Sequence, residues 1–469
     1  MNLPFRHVLL ALATVLTACG AEPNGPGEPA PDAEPLPFAL TLDGDTARAV
    51  LPLPEGVLVF REPIGGGLVE HDVRRTLTWL DERGTPVAEV RAGADELFLD
   101  VVTHPSGEAT LFVKVDTQCG LRRYGAGGTL LGTAPLTEPD LVSDPTDTSE
   151  EPLFPWNVGG CQPQEVRETG RLAADGEHVY LVNRGGSHGI VLFRFEHGAE
   201  TFTRTLRKVL LPRHAAPLPT GIVASHRVLR ASHWSYVPRV VVDDTGRARV
   251  LLTFGGGVSH DVYNAFAEVP VAEDARGVLL TVTPAGELLA ARELPRALVR
   301  EGTTTDIEGL RWLRGGVVLV GRVAPAPLPD DGHGWDGFLV HLVDGEAAPR
   351  QRVSVDLERG AVLSDVAAHG EAGWLVAGRS GYWQNPRGAS ISEEGTSELL
   401  VLDGSGNVTR RLELAQGPRH NGALGIAPAP GHAGHFYAGG LANGPGSHSA
   451  DSEPALLQAD GWVTRVALD

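Results

Sequence analysis

Five oxygen-bearing side chains stand at comparable points of the chain: Asp45, Asp100, Asp306, Asp365 and Asn421 each lie at the start of an apolar segment. Brought to one place, such carboxylates would supply the hard oxygen ligands that Ca²⁺ takes. They also have a local use, because Asp and Asn at strand starts satisfy the amides of the preceding turn. Ca²⁺ is the one cofactor these residues suggest, and no other is expected.

A second set is aromatic. Trp156, Trp234, Tyr236, Trp335, Tyr382 and Trp383 lie in loop-like segments, with Asn157, His233, Asp336 and Asn385 beside them. Rings for stacking next to directional polar groups suit a glycan or a polypeptide partner. The competing reading is that these rings cover small cores belonging to the loops themselves.

Catalytic patterns are weaker. Ser187-His188 and Ser259-His260 have glycine neighbours and read as loop geometry. Neither pair is read as a nucleophile elbow. His432, His435 and His448 share a Gly/Pro-rich region but fit no metal-ligand spacing. Gly65–Gly67 and Gly255–Gly257 open no helix, which speaks against a phosphate cradle. No catalytic residue is assigned.

The elements that must position these groups repeat along the chain. Ser364-Asp-Val-Ala-Ala-His-Gly-Glu-Ala-Gly-Trp-Leu-Val-Ala-Gly-Arg379 holds two short strands around a turn, and Glu398–Leu414 holds two more around Gly404-Ser-Gly-Asn407. The core triplet of the second strand recurs at Leu58, Phe112, Tyr180, Leu251, Val318, Leu375 and Tyr437. A glycine for the turn between strands three and four recurs at Gly84, Gly128, Gly198, Gly286, Gly345, Gly406 and Gly461. Two features that each count to seven predict an all-β fold, a single β-propeller of seven four-stranded blades over 38–469. Phe38–Leu42 and Trp462–Leu468 are expected to meet in one blade and close the ring. The long insertions then leave from one face, and Asp45, Asp100, Asp306 and Asp365 would ring the channel mouth on that face.

Charge and cysteines bound the surroundings. With 39 Lys+Arg against 59 Asp+Glu the chain carries −20, which argues against a nucleic-acid partner. Arg6 and His7 precede an apolar run, Val8–Leu16, too short for a bilayer span and fitting a signal peptide over 1–18. It ends in Leu16-Thr-Ala-Cys19, similar to a bacterial lipobox in which Cys19 is lipidated and becomes the first mature residue. In lipoproteins that this motif resembles, Gly20 rather than Asp after the cysteine implies the outer membrane, on its periplasmic or its cell-surface side. Residues 19–37 read as a flexible tether, so the membrane is met through the lipid alone. Cys119 and Cys161 remain, and in an oxidising compartment they are expected to pair; two buried free thiols are the alternative.

Asp336-Gly-Phe-Leu-Val-His-Leu-Val-Asp-Gly345 and the stretch Ser364–Arg379 resemble bacterial outer-membrane lipoproteins built of SBBP-type β-propeller repeats. The resemblance covers roughly the last 130 residues, and this chain departs from it in irregular spacing and long insertions. It implies a propeller and an extracytoplasmic address. The group has no single activity, so no catalytic residue carries over. Three functions remain: a non-catalytic propeller binding an envelope protein or glycan through its looped face, a lyase or hydrolase of an extracytoplasmic polymer, and a structural subunit of an envelope complex.

Overall fold

The computed structural model describes residues 38–63, 75–116, 118–136, 170–176, 178–185, 189–197, 202–210, 212–214, 238–253, 269–271, 275–295, 297–325, 334–357, 360–381, 383–384, 390–391, 395–417, 420–444 and 460–468. The expected signal peptide, Cys19 and the tether lie outside them.

Seven four-stranded antiparallel sheets follow one another, as the repeat predicts. Blade 1 comprises Asp45–Leu53, Gly56–Pro63, Thr76–Leu80 and Pro86–Arg91; blade 2, Glu96–Thr103, Ala109–Val115, Gln118–Tyr124 and Leu130–Pro135. Blade 3 comprises Gly170–Ala174, His178–Gly185, Gly189–His197 and Phe202–Leu210; blade 4, Arg239–Val242, Ala248–Thr253, Ala275–Val282 and Leu288–Pro295. Blade 5 comprises Thr303–Leu313, Gly316–Pro325, Asp336–Val343 and Gln351–Val355; blade 6, Ala361–His369, Gly373–Ser380, Gly395–Leu402 and Val408–Gly417. Blade 7 takes three strands from the end of the chain, His420–Pro428, His435–Gly444 and Asp460–Ala467. Its fourth strand is Ala39–Asp43, running antiparallel to Asp460–Ala467. Each first strand packs on the first strand of the next blade, and that of blade 7 returns to blade 1, so the ring closes.

The hydrophobic pattern explains this assembly. A strand in the middle of a blade is covered on both faces, so its apolar residues run continuously: Gly56–Phe60 and Gly316–Gly321 are buried without interruption. All seven predicted second-strand centres are buried. Outer strands such as Pro86–Arg91 and Leu130–Pro135 alternate between half-buried and exposed, as an outer edge must. Among the described residues seven core clusters lie one between each pair of adjacent blades, and a small eighth joins Ala324, Trp335 and Val362. Leu58, Phe60 and Trp79 of blade 1 meet Phe98, Val101 and Leu111 of blade 2. Tyr437 and Val463 of blade 7 meet Val50, Val57 and Val59 of blade 1 at the closure.

The turn glycines hold at Gly84, Gly128, Gly286, Gly345 and Gly406, all with positive φ between third and fourth strands. Gly198 lies outside the described residues. Gly461 is a correction: it sits inside the third strand of blade 7, because the fourth strand comes from the other end of the chain. A Cβ there would lie 2.2 Å from the carbonyl oxygen of Asp45, so the tight approach of blade 7 to blade 1 accounts for this glycine.

Chain direction sorts the connections. Segments from strand two to three and from blade to blade leave at one end of the ring; the others leave at the opposite end. The long segments, 64–75, 136–169, 211–238, 254–274, 326–335, 381–394 and 445–459, all join strand ends at the first end. At the other end the longest is 344–350. Two small accessory pairs belong to the looped end, Pro212–His214 parallel to Val269–Val271 and Trp383–Gln384 antiparallel to Ser390–Ile391.

Candidate functional site

First strands line the centre of the ring, and those of five blades carry a β-bulge in a comparable place. The extra residues are Arg48, Leu99, Glu308, Ser364 and Leu424. Measured from the bulge, the predicted carboxylates do not share a level. Asp100 and Asp365 follow it directly, Asp306 stands two residues before it, and Asp45 and Asn421 three before it. At about 3.3 Å per residue, those levels span about 10 Å along the channel, far more than one Ca²⁺ shell at roughly 2.4 Å from ion to oxygen. Among the described residues no three His, Cys, Asp or Glu side chains are placed to hold a metal ion. The expected single ring of Asp45, Asp100, Asp306 and Asp365 is therefore corrected: the turns between first and second strands differ in length, 104–108 in blade 2 against 314–315 in blade 5, so equal spacing from the second strand does not give an equal level on the first.

Each carboxylate has protein partners instead. Asp45 lies 2.6 Å from Arg61 and Asp306 lies 3.1 Å from Arg322. Asp365 takes Nε and Nη2 of Arg311 at 2.8 and 2.7 Å and also accepts the N–H groups of Val366 and Ile426. Asp100 accepts the N–H of Leu172 in blade 3 at 2.7 Å. Asn421 is fully buried and donates to the carbonyl of Gly395 at 2.6 Å. The field of Asp100 in blade 2 also reaches Arg311 in blade 5.

The looped end of the channel is marked by arginines, which the sequence reading did not select. Arg75, just before the third strand of blade 1, donates to the carbonyl of Phe98 in blade 2 at 2.7 Å. Arg239, first residue of blade 4, donates to the carbonyl of Ile307 in blade 5 at 2.6 Å. Phe98 and Ile307 occupy the same position, immediately before the bulge. A bulge locally disrupts the ladder, and in both blades a guanidinium from the preceding blade donates to the carbonyl just before it.

Burial works against the charge of these groups. Arg75 is held down to about 10 by burial and by the neighbouring charge of Arg48, with Glu62 opposing and Arg171 adding to the repulsion. Arg239 falls to about 10 through burial, against Glu308, with Arg171 again repelling it. Arg379, near the end of the second strand of blade 6, also falls to about 10 through burial and the charge of Arg322, with Glu308 opposing. All three stay protonated at neutral pH. Glu62 serves both Arg48 at 2.6 Å and Arg75 at 2.9 Å; burial opposes its charge, but the two guanidinium groups outweigh burial and hold it below the usual carboxylate range.

The aromatic set divides. Trp335 is 4% exposed, packed against Ala324 and Val362, with the guanidinium of Arg322 4.9 Å over its ring. It belongs to a small core under the looped end and presents no open face, so its expected ligand-stacking role is corrected. The backbone of Trp383 pairs with Ile391. Trp156, Trp234, Tyr236 and Tyr382 lie outside the described residues.

Cys119 is buried in the third strand of blade 2, in the cluster it forms with blade 3; Cys161 lies outside the described residues. Gly185-Gly-Ser-His-Gly189 carries the letters of a nucleophile elbow, but Gly185 pairs with Gly189 across two antiparallel strands, and no helix follows. His435 begins the second strand of blade 7, and His432 lies 3.3 Å from Glu82 in the turn before it, at the end away from the long segments.

No protein-family model matches the chain, and no curated protein matches it in sequence. Solved structures do resemble it. A protein of unknown function from Bacteroides caccae is 14% identical, with 77% of this chain and 94% of that one covered at a TM-score of 0.35. An α-L-arabinofuranosidase from Fusarium graminearum is 10% identical, covering 80% and 93%, at a TM-score of 0.41. Prolyl oligopeptidase B from Galerina marginata is 8% identical at a TM-score of 0.41; 86% of this chain aligns with 47% of that enzyme, so the chain spans about half its length.

Proposed function

We propose that this chain is a lipid-anchored, extracytoplasmic propeller that binds an envelope protein or glycan through the looped end of its ring. The observation that carries the reading is the placement of every long connection at one end, while the other is closed by short turns. Long segments on a rigid scaffold are where recognition is built. Cys19 attaches this body to the outer membrane, and the tether lets the looped end reach a partner. Trp156, Trp234, Tyr236, Tyr382 and Trp383 remain the aromatic candidates.

Two measurements test the reading. Pulldown from envelope extract, run beside a glycan array, should retain a partner with the wild-type chain and lose it with Trp234→Ala plus Trp383→Ala. Equal retention by that variant refutes the looped end as the binding end. Palmitate labelling should tag the wild-type chain and leave Cys19→Ala unlabelled and released from the membrane fraction; labelled Cys19→Ala would refute the anchor.

A further inference from the structure

The outermost strand of a blade leaves a row of unpaired N–H and C=O groups, which proteins ordinarily blunt with charged side chains. Six outer strands here each carry at least one, from Asp43 in Ala39–Asp43 to Arg204, Arg207 and Lys208 in Phe202–Leu210. The exception is Leu130–Pro135 of blade 2. It is the last strand of its sheet, and from Tyr124 to Thr137 the sequence holds no charged residue. Leu130 and Leu131 are 49% and 37% exposed, and Thr133 and Pro135 are exposed beside them. No other outer strand exposes two large apolar side chains among the described residues.

The ladder fixes which backbone groups face outward. Leu136 donates its N–H to the carbonyl of Cys119, and opposed residues of an antiparallel pair alternate between bonded and non-bonded. Ala134 opposite Leu121 and Gly132 opposite Arg123 therefore bond inward, and the N–H and C=O of Leu131 and Thr133 point away from the blade. The adjoining strand adds no unpaired charge to this edge, since Arg122 is held by Glu96 and Arg123 by Glu108.

Such an edge is complementary to itself. Turned about a two-fold axis at Gly132, two copies of the strand run antiparallel, and the outward groups of Leu131 meet those of Thr133 in the second copy. Gly132 then stands opposite Gly132, so the axis carries no side chain. Charge points the same way. Copies carrying −20 each repel one another, and this edge joins two of them without setting charge against charge.

We propose that Leu130–Pro135 is a self-association edge, through which blade 2 pairs with blade 2 of a second copy in one continuous sheet. A pair of six-residue strands buries less than the roughly 1,200 Å² of a stable interface. The dimer is accordingly weak, with a dissociation constant of about 0.1–1 mM.

Sedimentation equilibrium of the full chain tests this. The dimer fraction should rise with salt up to about 0.5 M, because salt screens the repulsion between acidic copies; an interface of ion pairs responds in the opposite sense. Thr133→Pro removes an outward N–H and spares the inward ladder, so the blade should fold while the dimer weakens by at least about tenfold. If Thr133→Pro loses its near-ultraviolet circular dichroism, Leu131→Lys takes its place, with the same loss expected from a charge on the edge. Val408→Lys, at an exposed position on the outer strand of blade 6, should leave the dimer unchanged. No dimer at about 1 mM wild-type chain, a dimer that weakens with salt, or equal dimerisation by the folded edge variant overturns the proposal. An equal loss in Val408→Lys overturns it too, since association would then be unspecific. Capture of a different envelope protein that is lost in Thr133→Pro, without self-association, assigns the edge to a foreign strand and overturns the second copy.

Discussion

Asp365 in blade 6 accepts the backbone N–H of Ile426 in blade 7 at 3.0 Å, and Asp100 does the same from blade 2 to Leu172 in blade 3 at 2.7 Å. Both aspartates directly follow the bulge of their first strand. The bulge turns a side chain that would lie along its own blade toward the next one, so one carboxylate ties two blades at the centre of the ring. Asp365 also holds the guanidinium of Arg311 in blade 5, and so links three blades.

That link predicts unequal costs of substitution. Asp365→Ala leaves a buried N–H without an acceptor and Arg311 without its counter-charge. Because the arginine is 41% exposed, solvent recovers part of the loss, and a destabilisation of about 2–3 kcal/mol is expected. Asp365→Asn keeps one acceptor and should cost less. Urea unfolding checks both; equal midpoints for wild type and Asp365→Ala would refute the tie.

Closure of the ring predicts a change in association. Ala39–Asp43 covers the edge of Asp460–Ala467, and Phe38 accepts hydrogen bonds from Thr464 at 2.8 Å and Arg465 at 3.1 Å. Deleting 38–43 exposes a strand edge able to pair with another chain. Light scattering should then show concentration-dependent association and thermal unfolding a lower midpoint. A monomer with an unchanged midpoint would show that the closure contributes nothing.

His341 predicts a pH dependence. It is buried in blade 5 with its ring 5.3 Å from Trp374 of blade 6, and burial, then the charges of Arg350 and Arg314, push its pKa below 6.5. The unfolded chain therefore binds a proton more readily than the folded one. The contribution of His341 is fully present above about pH 6.5 and is lost as pH falls from there through the lowered folded value. His341→Phe keeps a ring against Trp374 and should flatten the slope of stability across that window. An identical slope in the variant would remove His341 from the account.

The cysteines give a chemical prediction. Pairing of Cys119 with Cys161 closes a loop of about 43 residues, worth roughly 4 kcal/mol by loop entropy. Thiol titration of the unfolded, unreduced chain should find neither thiol free, and reduction should lower the unfolding midpoint. Two reactive thiols would refute the bridge.

The strand pattern of this protein is legible in its sequence because burial of a middle strand is a local property. Leu58, Phe112, Tyr180, Leu251, Val318, Leu375 and Tyr437 mark the seven second strands wherever the insertions fall. The closure is legible too, since Phe38–Leu42 precedes the first blade and Trp462–Leu468 ends a last blade that is one strand short. The inner wall is not legible. Asp100 and Asp365 directly follow the bulge of their strands, while Asp306 stands two residues and Asp45 three residues before it, although all four look alike in sequence. Arg75 precedes a third strand, Arg239 begins a first and Arg379 nears the end of a second. No common spacing connects them, and only closing the ring brings their charges to one end of the channel.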